Sequence, residues 1–189
     1  MLKLNVGKCK DVLYGRNIES SHKYCINMQE LENLDSIKDL GVHFDSKLKF
    51  DHHINDKINK ANSILGIMKR NFQNLSIDAF LCIYKSMVRS HLEYAEAVWS
   101  PYRKELIDKL ERVQMRATKL IPGLRNLPYS ERLKRLKLPT LKYRRLRGDL
   151  IELYKIINYK YDNSVAMKIN FVSYTSTRGN SAKIFLQHC

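Results

Sequence analysis

From about Asp51 to about Tyr161 the apolar residues of this chain recur at steps of three and four, and that period dominates what it can fold into. Ile54, Ile58, Ala61, Leu65, Met68 and Phe72 form the first helical stripe. Ser76 is placed to cap a second, whose broad apolar face runs from Ile77 through Phe80, Tyr84, Val88 and Leu92 to Trp99. Ser100-Pro101 ends that helix or opens the next. A third is expected from about Arg103 to Ile121, where Pro122-Gly123 stops it, a short fourth follows Pro128, and a fifth starts after Pro139-Thr140. Before Asp51 the pattern is different. Val12 and Tyr14, then Ile37, Leu40, Val42 and Phe44, suggest two or three short antiparallel strands over residues 2–45, with Gly41 inside one of them. So little sheet does not fold alone and must lean on the helices or on a missing partner. The expected fold is mainly α, a short antiparallel β-hairpin region followed by a bundle of about five helices, α+β overall. Three segments are expected: 1–50, strands; 51–161, helical bundle; and 162–189, a polar, partly disordered tail.

Composition narrows the function. The 189 residues are 44% hydrophobic, enough for a core, and no apolar stretch is long enough to span a bilayer. The N-terminal MLKLNVGKCKD lacks the apolar run of a secretory signal. Cys9, Cys25, Cys82 and Cys189 are scattered without a CxxC, which suits free thiols in a reducing compartment. The expected location is intracellular, cytoplasmic or nuclear, with no membrane partner.

The net charge is +15, which favours polyanions, nucleic acid first. Between Arg103 and Arg147 fifteen bases face four acids, so this segment holds +11 of the total. At about 100° per residue, Leu106, Leu110, Val113, Ala117 and Leu120 share one face of the third helix. Lys109, Arg112, Arg116 and Lys119 cluster on another. In the fifth helix Tyr143, Leu146, Leu150, Leu153, Tyr154 and Ile157 are expected inward. Lys142, Arg144 and Arg145 join the basic set, Arg144 and Arg145 pointing away from that apolar face beside Gly148. Ordinary helices also carry solvated charge, but outer faces usually mix signs and this one mostly does not. Arg145 and Asp149, four apart, also suit a simple pair.

No P-loop, dinucleotide fingerprint, HExxH or nucleophile elbow occurs. HFDSKLKFDHH, residues 43–53, collects three histidines and two aspartates. Neighbouring His52 and His53 diverge on a helix, and Lys47 and Lys49 disfavour a cation. The stretch reads better as a strand-to-helix joint, with Leu48 and Phe50 as packing anchors, Asp51 as a cap and the two lysines as candidate phosphate contacts. No metal site is assigned.

Several blocks then occur in a telling order: LGVHFDSKLKFDHHI, YKSMVRSHLEYAEAVWSPY, LERVQMRATKLIPGL, YSERLKRLKLPTLKYRRLRGDLIELYKI and TRGNSAKIF. Together they resemble the reverse transcriptase of jockey-like non-LTR retrotransposons, from Leu40 to Phe185. LKLNVGKCKDVLYG resembles the segment after that family's active-site strand. The resemblance implies the end of a palm plus a thumb, truncated at both ends. Lys8 would be a motif lysine near the incoming nucleotide only in a complete enzyme, and Leu40, Gly41 and Val42 would form a primer grip. The family's [FY]-x-D-D box is missing, and the sequence contains no Asp-Asp pair. Catalytic residues are therefore none here, and Mg²⁺ is expected only in a complete polymerase. The implied function is binding of RNA or RNA–DNA template–primer through a basic helical thumb, without catalysis alone, next to a missing palm and fingers portion. The alternative is a helical protein–protein interaction module with no nucleic-acid role.

Overall fold

A computed structural model describes residues 5–15, 22–162, 164–165, 167–172 and 184–185. Most of the tail expected to be partly disordered, with most of the TRGNSAKIF block, lies outside them. The chain divides into two compact units, Met1–Lys142 and Tyr143–Cys189. The strand region thus shares a unit with most of the helices, and the boundary between the units falls inside the last helix.

Among the described residues of the first unit six two- to four-residue strands form three separate pairs. β1 (Lys10–Asp11) pairs with β4 (Glu32–Asn33) in parallel. β2 (Cys25–Ile26) and β3 (Gln29–Glu30) form a small antiparallel hairpin. β5 (Ser36–Asp39) and β6 (Val42–Asp45) form the longest, with Ile37 opposite Phe44 and Asp39 opposite Val42. Gly41 is not inside a strand. Leu40 at φ 43° and Gly41 at φ 81° make a two-residue turn with both central residues left-handed, the geometry whose twist matches a hairpin.

That hairpin is held by helices, since two strands bury too little to stand alone. Val42 is buried, and Phe44 meets Phe50 edge-on at 5.7 Å. The turn carbonyls are gripped as well. Lys57 Nζ donates to the Gly41 carbonyl at 3.2 Å, and the Tyr94 hydroxyl donates to that of Leu40 at 2.8 Å. A Cβ on Gly41 would make only ordinary contact with the Tyr94 ring at 3.5 Å, so the glycine is explained by its positive φ.

The joint to the first helix runs through Asp45. Its carboxylate accepts backbone N–H bonds from Lys47 (3.1 Å), Lys49 (3.1 Å) and Phe50 (2.7 Å). These bonds hold the Asp45 carboxyl below the usual range, against the opposing effect of its burial. Asp51 is not the cap: α1 (Asp51–Asn71) starts without a side-chain cap, and Asp51 pairs with Arg103. Phe50 packs on the core as expected, whereas Leu48 is half exposed.

Of the histidines, His53 is wholly buried. Its Nδ1 accepts the His43 backbone N–H at 3.2 Å, its ring lies 5.3 Å from that of Trp99, and its Nε2 has no hydrogen-bond partner among the described residues. Burial, then the charge of Lys57 and the proximity of His43, push its pKa down from 6.5 to about 4, Asp56 opposing. Between those values the unfolded chain takes up a proton that the folded chain refuses. Stability is therefore complete above about pH 6.5 and falls as pH drops toward about 4. At about 1.4 kcal/mol per pH unit the loss approaches about 3 kcal/mol. Urea midpoints measured across this window should fall with acid. His53→Gln, which keeps an acceptor for His43, should remove most of that slope; an unchanged slope would assign the acid sensitivity elsewhere.

The second apolar stripe is one continuous path built from several pieces. α2 (Ile77–Ile83) is capped by Ser76, whose Oγ accepts the Ala79 N–H at 3.3 Å. A π-helical segment, Tyr84–Arg89, leads into α3 (Ser90–Glu93); Ala95 then turns left-handed at φ 53° before α4 (Glu96–Trp99). Phe80, Tyr84, Val88 and Leu92 are spaced four apart and all fully buried. A four-residue repeat drifts round an α-helix of 3.6 residues per turn, and the wider π turn offsets that drift. Trp99 closes the path, its Nε1 donating to the Tyr94 carbonyl at 2.7 Å.

α5 (Lys104–Ala117) packs along α1, with Leu106, Leu110, Val113 and Ala117 buried as expected. 3-10 turns at Thr118–Leu120 and Pro122–Leu124 lead to α6 (Tyr129–Leu136) and α7 (Leu141–Ile157). A buried polar network joins these elements. The Tyr84 hydroxyl donates to Gln114 Oε1 at 2.6 Å, and Gln114 Nε2 reaches the Tyr129 hydroxyl at 3.0 Å and the Pro139 carbonyl at 2.9 Å. The Tyr129 hydroxyl donates to Glu111, which also accepts the Lys142 N–H at 3.2 Å, at the start of α7.

In the second unit α7 departs from expectation. Tyr143, Leu146, Leu150 and Tyr154, expected inward, are 57–62% exposed, and Arg145, expected outward, is buried. Apolar residues occur nearly all round this helix, from Leu141 and Tyr143 to Ile151, Leu153 and Ile156. Its period therefore does not single out one face.

Candidate nucleic-acid interface

The packing of α5 on α1 leaves a groove of about 740 Å³ where the ends of the two helices meet the turns after α5. Its cations are Lys69 from the last turn of α1, Arg116 from the last turn of α5, Lys119 from the following 3-10 turn and Arg125 just beyond the next. Among the described residues no carboxylate lines it. Arg116 is oriented by Asn62, its Nη1 donating to Oδ1 at 3.3 Å across the helix pair. Basic residues at helix C-termini also complement the helix dipole, which accounts for part of their placement. Four of one sign converging on one hollow exceed that local need.

The groove is not purely ionic. Leu65, Leu120 and Pro122 supply apolar surface, and Phe72, the residue ending α1, stands on its wall half exposed. Phe72 N–H still bonds the Met68 carbonyl at 3.0 Å, so its backbone is held by the last helical turn. Gly66 also lines the groove, and a Cβ there would meet nothing within 4 Å.

Of the basic residues singled out in the sequence as nucleic-acid contacts, Arg116 and Lys119 line this groove. Lys109 lies earlier on α5, in an ion pair with Glu105 at 2.7 Å, and Arg112 is exposed on the same helix. Lys142 is exposed at the start of α7, Arg144 is half buried and Arg145 is buried. Lys8 is exposed in a 3-10 turn (Val6–Lys8). At the hairpin turn Leu40 is largely exposed, Gly41 is gripped as described and Val42 is core. Lys47 and Lys49 border a second hollow with Gly15 and Tyr102. Phe72 was expected only in the apolar stripe of the first helix and Arg125 only within the basic segment, and Lys69 was not singled out. Lys69-Arg70 next to Phe72 is a short basic-aromatic signal, but it precedes the dense basic segment and gains meaning only by packing on α5.

Two-metal phosphoryl transfer needs paired carboxylates to hold its ions. Among the described residues no three His, Cys, Asp or Glu side chains are grouped to hold a metal, and the sequence has no Asp-Asp pair. Nor, among the described residues, is any helix long and apolar enough to cross a membrane.

No protein-family model matches the chain, and no solved structure matches it. It is 29% identical over 129 residues to an RNA-directed DNA polymerase from mobile element jockey of Drosophila funebris. The match covers 65% of this chain and 14% of that protein, so the chain corresponds to a small part of its relative. The blocks quoted above and this match agree that the chain is distantly related to a retrotransposon RNA-directed DNA polymerase.

Proposed function

We propose that this chain acts as the palm-end and thumb-like part of a retrotransposon reverse transcriptase, holding template–primer nucleic acid and not polymerising by itself. The observation that carries this reading is the single-signed groove of Lys69, Arg116, Lys119 and Arg125. Its distant relative is an RNA-directed DNA polymerase, an enzyme whose nucleic acid needs such a phosphate-binding surface. Chemistry would require carboxylates from elsewhere, with Mg²⁺ belonging to that complete polymerase.

Phosphate binding predicts a specific salt response. Four phosphate contacts on a duplex correspond to a slope of about −3.6 in log K against log salt, or about 100-fold weaker binding between about 50 and 200 mM. Anisotropy of a labelled RNA–DNA duplex across that range measures it. Absence of binding at low salt, or binding indifferent to salt, would sink the proposal. One observation favours a second reading, a protein-interaction module: the exposed Tyr143, Leu146, Leu150 and Tyr154 stripe of α7. A chain that ignores nucleic acid but self-associates through that stripe, with Leu150→Glu abolishing association, supports it instead.

A further inference from the structure

We propose that the groove between α1 and the end of α5 takes an unpaired strand, with one nucleobase lying on the Phe72 ring and the flanking phosphates held by Lys69, Arg116, Lys119 and Arg125. This rests on the reading that the chain binds nucleic acid, and goes beyond it by naming the form of nucleic acid this groove prefers.

A duplex keeps its base faces in the stack and shows a protein only phosphates, sugars and groove edges. Cations alone would suffice for it. Here the cations surround an apolar hollow with a half-exposed aromatic ring, a combination that suits a base's flat face and its charged backbone together. The size agrees. About 740 Å³ lies within the roughly 300–1,000 Å³ of sites that enclose small ligands, enough to seat a nucleotide, whereas a duplex would meet the same cations from outside the hollow. Open space at Gly66 leaves room for a sugar or base edge along the wall of α1. Arg116, tied to Asn62, is held in place beforehand instead of swinging free, which lowers the ordering cost of a contact.

The test compares a labelled single strand of about 10 nucleotides with a duplex of equal length, in RNA and DNA forms, on the full chain at equal salt. The strand carries one 2-aminopurine, whose fluorescence drops on stacking. The single strand should bind more tightly, with quenching and a salt slope near −3 for four contacts. Phe72→Leu keeps the apolar bulk but not the ring. It should weaken single-strand binding about 5- to 100-fold, leave the duplex nearly unchanged and restore the fluorescence, while Phe72→Trp should retain all three properties. Circular dichroism checks that each variant is folded, as expected for a half-exposed position. Salt-sensitive duplex binding with no single-strand preference, or equal losses on both forms in Phe72→Leu, overturns this inference and leaves the proposed function standing. Binding of neither form at low salt overturns both.

Discussion

Replacing Gln114 by alanine should cost the first unit about 3–4 kcal/mol of stability, a large share of what a domain of this size possesses. Gln114 is fully buried and makes three hydrogen bonds, from the Tyr84 hydroxyl and to Tyr129 and Pro139. Alanine would orphan the Tyr84 hydroxyl and the Pro139 carbonyl and open a cavity. Each buried group left unpaired costs about 1–3 kcal/mol. Tyr84 has no escape by ionising, because burial pushes its phenol well above the ordinary range. Tyr129 would keep Glu111, so the network would lose its centre and not its rim. Urea denaturation measures the loss as a lower midpoint. Gln114→Met, of similar volume but unable to donate, separates polarity from packing; if it were as stable as wild type, the network would contribute nothing net.

The second large effect is on binding. Arg116→Glu combined with Lys119→Glu should weaken duplex binding about 30- to 100-fold near physiological salt and make the salt slope shallower by about 2. Two of the four groove cations become repulsive in this variant. Arg112→Glu, on the exposed side of α5 outside the groove, should cost several-fold less, because only the general field changes. Equal losses in both variants would show diffuse attraction to a basic chain instead of a site. Neither groove change should unfold the protein, since both side chains are exposed or half exposed.

Helix positions were largely legible in the sequence because their signals are local. The change of period at Asp51, the Ser76 cap and Pro128 each fall at an observed helix start. The core face of α5 followed from spacing alone. Strand pairing was less legible. A glycine between apolar residues fits a strand or a turn, and the positive φ of Leu40 and Gly41 chose the turn. The continuous helix expected to Trp99 is interrupted at Ala95, where the Tyr94 carbonyl is taken by the Trp99 indole. On α7, apolar residues all round left the buried side undetermined.

The sequence by itself determined the mainly helical class, the concentration of positive charge after Arg103 and the resemblance to jockey-like polymerases, since period, charge and motif order are properties of the chain in one dimension. Tertiary structure decided where that charge acts. Lys69 and Phe72 end one helix, Arg116 and Lys119 lie past the middle of the chain, and packing of α1 on α5 makes them walls of one groove. Packing also made His53 a buried acceptor for the His43 N–H. Electrostatic attraction and burial depend on distance in space, which helix packing sets and residue spacing along the chain does not.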